Sequence, residues 1–404
     1  MKRIAVSGRT GSYSCLAAFV LLLAAGCAAP PQATRLSDEL PFEEAVAKAT
    51  DGLVAQTQTL PAFLAKVESK LGKKGVVLDP MLDSATGQQT GATTLLENRV
   101  SERMTTKYDQ FEVLPFRAAN LSRAQYLLTG TMTRASTDRG RGGLLINLAL
   151  TELKSGTVVA QASAIARSAG LDDTPLPYYR DSPILVKDKV IDGYVATSAT
   201  RPGQRADSFY LERIAAATLI NEATLLYNQE RYQESLGQYR SALATPAGEQ
   251  MRVLNGIYLT NVKLGRSAEA EQAFGKVVAF GIASNQLGVK FLFNPGSTEF
   301  WSDPKVSGSY QMWLRQIARE STASRACMNI VGHTSRTGSE QANDALSLQR
   351  AVYIRGKLAA EAPALGPKTK VTGMGFRENI VGSGSDNAVD ALDRRVEFKI
   401  VPCS

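Results

Sequence analysis

The sequence predicts an α+β chain of several domains: an N-terminal α/β domain, a short helical segment, and a C-terminal domain that mixes strands and helices. Three observations predict it. The chain has 404 residues of which 44% are hydrophobic, enough to bury more than one core. Short apolar strand-like runs alternate with helix-length apolar spacing between 42 and 170. Between 208 and 283, small and aromatic residues recur at helical intervals. Taken in order, Lys2 and Arg3 precede an apolar run, Cys15 to Ala25, that ends at Gly26-Cys27. That run is too short to span a bilayer and has the charged front and small-residue end of a signal peptide, residues 1–26. Residues 27–41 are rich in Ala, Pro and Gln and read as a flexible tether. In the α/β domain, 42–170, helical spacing covers Phe42 to Leu53 and Leu60 to Leu71. A strand at Gly75 to Pro80, a helix at Thr93 to Tyr108, and strands at Phe111 to Pro115 and Ala124 to Thr131 follow. Leu144 to Leu153 and Val158 to Ala166 flank the Lys154-Ser155-Gly156 turn as a hairpin. Residues 171–207 carry Pro175, Pro177, Pro183 and Pro202 and read as a linker or ordered crossing. Residues 208–283 are helical, and 286–404 form the C-terminal domain.

Composition and spacing exclude several classes. Lys and Arg number 46 against 38 Asp and Glu, a formal charge of +8. Lys2, Arg3 and Arg9 leave with the signal, so the mature chain is only mildly basic, compatible with an anionic partner surface. No basic block with interleaved aromatics occurs, so no nucleic-acid partner is expected. The single histidine, His333, has no triad-like carboxylate in sequence, and no His, Cys or carboxylate set has metal-ligand spacing. Gly382-Ser383-Gly384-Ser385 lacks the Lys of a phosphate-binding loop and reads as a loop. No catalytic residue, metal or cofactor is expected; the chain does not read as an enzyme.

The most specific signal lies near the C-terminus: Val331-Gly332-His333-Thr334, then Asn343-Asp344-Ala345-Leu346-Ser347 and Arg350-Ala351, then Asp393-Arg394-Arg395-Val396-Glu397-Phe398. In order and spacing this resembles the C-terminal OmpA-like domain of bacterial envelope proteins. The resemblance implies a βαβαβ fold with a mixed sheet, and non-covalent binding of peptidoglycan. In that family an Arg and an Asp clasp the zwitterionic end of diaminopimelate in the stem peptide, the guanidinium taking the carboxylate as a fork. Arg350, read as opening the helix, matches the Arg; Ser335 stands where the family has the Asp. Arg350 is therefore the expected chief contact, with Thr334, Ser335, Asn343 and Arg394 shaping the pocket. Losing the charged partner of the ammonium costs about 1.5–3 kcal/mol. Asp344 and Asp386 are the candidates to replace that carboxylate, and the alternative is a domain that has lost wall binding. Arg394 and Arg395 read equally well as surface charges.

Other resemblances follow. Leu23-Ala24-Ala25-Gly26-Cys27 is similar to a lipobox, which implies lipid (palmitate) attachment at Cys27; Ala28 after it implies sorting to the outer membrane. The antiparallel strands that the OmpA-like resemblance implies would bring Cys327 and Cys403 together as a periplasmic disulfide. Such a bond would close about 75 residues and contribute on the order of 4 kcal/mol; two separate buried thiols are the alternative. The 42–170 region, with its Tyr126-Leu127-Leu128-Thr129-Gly130 strand and its hairpin, resembles α/β domains of the curli-secretion CsgG and penicillin-binding-protein-activator families. Ala223, Tyr227, Tyr232, Tyr239 and Ala242, with Ala270 and Phe274 about 35 residues on, resemble tetratricopeptide repeats, which implies either a partner-binding groove or a helical spacer. The expected whole is an outer-membrane lipoprotein on the periplasmic face that binds the peptidoglycan stem peptide and scaffolds unidentified envelope proteins. The alternative is a subunit of an envelope secretion or appendage-assembly complex whose OmpA-like domain no longer grips the wall.

Overall fold

The computed structural model describes residues 39–57, 72–134, 143–294, 296–381, 384 and 389–403. The expected signal peptide, Cys27, most of the tether, the Leu60–Leu71 helix, Asp386 and most of the Gly382–Ser385 run lie outside the described residues. The mixed α and β content expected from the sequence is present, in two mixed sheets.

The first sheet has the order β3 (Phe111–Leu114), β1 (Lys74–Leu78), β4 (Tyr126–Arg134), β5 (Leu144–Glu152), β6 (Thr157–Ala166), with the short β2 (Leu82–Asp83) also pairing β4. β1 runs parallel to β3 and β4, whereas β4, β5 and β6 form an antiparallel meander. Helices α1 (Phe42–Thr57) and α2 (Gly91–Lys107) cover one face, packing Val46, Leu53, Leu96 and Val100 on Val76, Leu128 and Leu148. Helix α2 starts where it does because Thr90 and Thr93 exchange side-chain and backbone hydrogen bonds as a capping box. Arg103 on α2 forks onto Asp51 of α1 at 2.6 Å through both Nε and Nη2, and this fork chiefly holds the Asp51 carboxyl well below the usual carboxylate range. Helix α3 (Lys189–Ser198), capped by Asp188, covers the other face with Val190, Ile191 and Tyr194.

Residues 171–207 form a structured crossing. Tyr178 is buried; its ring meets Tyr227 edge-on at 5.9 Å and stacks on Tyr239 at 6.1 Å, and its hydroxyl donates to the Arg252 carbonyl at 2.7 Å. Those partners belong to helices α4 (Ile214–Asn228), α5 (Tyr232–Leu243) and α6 (Met251–Lys263), followed by α7 (Ser267–Ala283). Ala223, Tyr227, Tyr239, Ala242, Ala270 and Phe274 are all buried, and Tyr232 is half-buried. Gly256 lets α6 approach closely, since a Cβ there would stand 2.3 Å from the Tyr239 ring.

Beside the first sheet the Asp79 side chain is buried and the Glu97 side chain is partly buried. Asp79 accepts from the Tyr210 hydroxyl at 2.5 Å, and Glu97 accepts from the Met81 backbone N–H at 3.1 Å. Burial pushes Asp79 up to about 6 and Glu97 up to about 7. Both folded-state values lie above the unfolded ones, so the folded chain holds these protons more tightly. The stability this contributes is complete below about pH 4 and is lost as pH rises through 6 and 7. We expect urea unfolding to show a loss of several kcal/mol between pH 4.5 and 8. The Asp79→Asn, Glu97→Gln double variant should flatten that slope; an unchanged slope would contradict the assignment.

The second sheet has the order β7 (Leu287–Val289), β10 (Val396–Val401), β8 (Cys327–Gly332), β9 (Thr369–Gly373). β10 is antiparallel to both neighbours, and β8 and β9 are parallel. Helix α8 (Tyr310–Ala323) precedes β8, and helix α9 (Glu340–Glu361) links β8 to β9. Leu314, Ile317, Ala351, Ile354 and Leu358 bury on Met328, Ile330, Val396 and Phe398. That core is continuous with the one beneath α4–α7, so the helical segment and the second sheet share apolar contacts. Cys327 and Cys403 are joined by a disulfide, their Cα atoms 5.2 Å apart. Among the described residues no helix is long and apolar enough to cross a membrane.

Candidate functional site

At the end of β8 the chain passes through His333, Thr334 and Ser335 and turns at Gly338, whose φ of +87° suits glycine. The Ser339 hydroxyl then accepts from the Ala342 N–H and starts α9, with Glu340 favourably placed in the first turn. Asn343 donates through Nδ2 to the Thr337 carbonyl at 2.7 Å and to the Ser339 carbonyl at 3.0 Å, pinning the turn to the helix. Two glycines paired across the sheet, Gly332 and Gly373, bring α9 close. A Cβ on Gly332 would stand 2.1 Å from the Ser347 carbonyl oxygen, and one on Gly373 would stand 2.6 Å from the Leu348 nitrogen.

This arrangement puts Arg350 in the third turn of α9. The helix begins ten residues earlier, at Glu340, so the expectation that Arg350 lies at its opening is corrected. Its cap signal is Ser339, followed by an acidic first turn. Arg350 is buried and donates through Nε to the Ser297 carbonyl at 3.1 Å and through Nη2 to the Asn294 carbonyl at 3.4 Å. Its guanidinium carbon lies 4.8 Å above the Phe293 ring. The loop supplying these groups is held by aromatic contacts: Phe291 on Tyr310 at 5.2 Å, Phe293 on Phe300 at 5.4 Å, and Phe300 on Tyr353 at 5.2 Å.

Between loop, turn and helix lies a cavity of about 670 Å³, a size suited to a small ligand. Thr334, Ser335, Asn343, Arg350 and Arg394 all line it. The five residues singled out by the sequence come from three separate segments and converge on one space. Thr334 Oγ1 is buried without a hydrogen-bond partner among the described residues. Reasoning from sequence missed the apolar wall of Leu292, Phe293, Trp301, Val306 and Leu346. Its only advance signal is the density of aromatics between 291 and 301.

Two neighbours differ from expectation. Asp344 does not line the cavity; it is ion-paired with Arg377 at 2.6 Å, so it does not replace the carboxylate absent at Ser335. Arg395 is buried rather than a surface charge and holds Glu397 at 2.7 Å. A cluster not evident in sequence joins His333, Glu378 and Glu397, whose ligand-type atoms all lie within 4.8 Å of one another. Lys399 stands 3.4 Å from both carboxylates, so each already faces a cation. Burial pushes the Glu397 carboxyl up, but the adjoining His333 and Arg395 outweigh burial and hold it well below the ordinary range.

No family model matches this sequence, and no curated protein matches it. Solved structures do. The peptidoglycan-associated lipoprotein from Burkholderia pseudomallei is 24% identical over 28% of this chain and 89% of that one, with a TM-score of 0.24. An outer membrane protein from Borrelia burgdorferi is 23% identical over 29% of this chain and 88% of that one, with a TM-score of 0.23. The periplasmic domain of Helicobacter pylori MotB is 16% identical over 29% of this chain and 76% of that one, with a TM-score of 0.24.

Proposed function

We propose that the second sheet and α9 carry a non-covalent binding site for a peptidoglycan stem peptide. In this reading the chain is a lipid-anchored protein on the periplasmic face of the outer membrane, held through Cys27. One observation carries it: Thr334, Ser335, Asn343, Arg350 and Arg394 gather around a single cavity. A guanidinium on the wall of such a cavity takes a carboxylate with little competition from water. The lipid anchor at one end and the wall contact at the other reinforce each other through effective concentration. The first sheet and helices α4–α7 are left to meet envelope proteins, in line with the resemblances of those segments. No chemistry is assigned to the site, and the protein is read as a non-enzyme.

The test is sedimentation of the mature chain with purified sacculi. Wild type is expected in the pellet and Arg350→Ala in the supernatant, a drop in affinity of at least roughly tenfold. Equal pelleting of the two proteins would overturn the reading. A second reading is favoured by the bonds from Arg350 to the Ser297 and Asn294 carbonyls. There Arg350 secures the loop, and the domain serves as an interaction module in an envelope assembly complex. On that reading wild type itself stays in the supernatant, and Arg350→Ala shows only as lowered stability.

A further inference from the structure

The single histidine of the chain adjoins the peptide cavity in sequence but does not line it. His333 is 1% exposed, and neither of its ring nitrogens has a hydrogen-bond partner among the described residues. Burying an imidazole in that condition is costly, and such a group calls for a specific explanation. The groups nearest to it are two carboxylates. Nδ1 lies 3.9 Å from Glu378 Oε2 and Nε2 lies 3.7 Å from Glu397 Oε2, both too long for hydrogen bonds. The three residues come from the end of β8, the loop after β9, and β10, so no ligand spacing betrays them in the sequence. Arg395 arranges all three. Its guanidinium holds Glu397 Oε1 at 2.7 Å, so Oε2 is the oxygen left to face His333. Its Nη2 donates to the Glu378 carbonyl at 3.2 Å, and its own carbonyl accepts from the His333 backbone N–H at 3.0 Å.

We propose that His333, Glu378 and Glu397 form a binding site for a divalent transition-metal ion, Zn²⁺ by the chemistry of its donors. One ring nitrogen and two carboxylate oxygens lie within 4.8 Å of one another. They close on an ion at bond lengths of about 2.0–2.2 Å after an inward shift of Glu378, the most exposed of the three. An imidazole donor favours Zn²⁺ over Mg²⁺, which prefers oxygen ligands and water. Lys399 is the cation that the ion displaces. Its Nζ stands 3.4 Å from both Oε2 atoms, which marks the place as one that suits positive charge. Its side chain is 44% exposed, and the flexible stem lets the ammonium withdraw into water. A bound ion ties the loop after β9 to β8 and β10, one residue before Thr334 at the cavity. Water completes the coordination, and no reaction is assigned to it. The site does not depend on the stem-peptide reading.

Calorimetric titration of the mature chain with zinc chloride, and separately with magnesium chloride, tests this. The chain carries Cys27→Ser, because a free thiol would itself take zinc. One equivalent of Zn²⁺ is expected to bind, with Mg²⁺ far weaker. Glu378→Gln and His333→Gln should each lower the zinc affinity at least roughly tenfold, since losing a ligand costs no less than losing a group that orients one. Lys399→Met should raise it, because the competing ammonium is gone. A purely structural ion-pair cluster gives the opposite pattern: no zinc heat in the wild type, and none in Lys399→Met. Absence of zinc binding by the wild type overturns the proposal. So does binding that Glu378→Gln leaves unchanged, because the ion would then sit elsewhere on the chain. Equal affinity for Mg²⁺ and Zn²⁺ would remove the imidazole from the ligand set and overturns it too. Should His333→Gln fail to fold by circular dichroism, the exposed-side variants Glu378→Gln and Lys399→Met, which must move the affinity in opposite directions, decide the matter.

Discussion

Reduction of the Cys327–Cys403 bond is expected to lower stability by about 4 kcal/mol. The bond spans a sequence separation of 76 residues. It joins the first residue of β8 to the tail just past β10, two strands already registered as Val401 opposite Cys327. The native geometry therefore needs no rearrangement to hold the bond, and its main effect falls on the unfolded chain, which loses much of its freedom when so long a loop is closed. Urea unfolding with and without reductant measures this, and Cys403→Ser in the absence of reductant should reproduce the reduced midpoint. Coincident midpoints for oxidised and reduced protein would show that the bond constrains little.

Gly332→Ala is expected to cost about 3 kcal/mol and to abolish the proposed peptide binding with it. The added methyl would fall 2.1 Å from the Ser347 carbonyl oxygen. That obstacle is helix backbone, so no rotamer change relieves it; α9 must retreat from the sheet. Arg350 lies three residues after Ser347 on the same helix, so the retreat carries the guanidinium away from the Ser297 and Asn294 carbonyls. Gly356 on α9 provides the control, because a Cβ there meets nothing within 4 Å. Gly356→Ala should raise stability by about 0.5–1 kcal/mol, as expected for an open helical position. Equal midpoints for wild type and Gly332→Ala would mean that the close approach of α9 does not control this domain.

Why some of this was legible in the sequence, and the rest was not, comes down to distance along the chain. Residues 331–351 carry a strand end, a turn and a helix in one short run, so a motif can be matched along them. The resemblance carried by that run is what assigns Thr334, Asn343 and Arg350, with Ser335 beside them, to one pocket. The aromatic wall could not, because Phe293 and Trp301 reach Arg350 from about fifty residues upstream and have no fixed spacing to the motif. Residues 171–207 read as a linker or crossing in sequence because Pro175, Pro177, Pro183 and Pro202 punctuate the stretch. Proline reports backbone restriction and says nothing of burial, and Tyr178 fills a core between helices that begin some forty residues later. His333, Glu378 and Glu397 meet only because β10 returns beside β8, a pairing that no local pattern specifies. The hairpin of β5 and β6 was legible for the opposite reason: alternation and the turn at Lys154-Ser155-Gly156 are both local.

The central proposal is that the Arg350 cavity receives a cell-wall peptide. Titrating the isotope-labelled mature chain with muropeptides released from sacculi tests this most directly. Saturable shifts of amide resonances from Thr334 to Asn343 and around Arg350 are expected, absent in Arg350→Ala. Resonances that stay in place throughout the cavity at saturating muropeptide would contradict it.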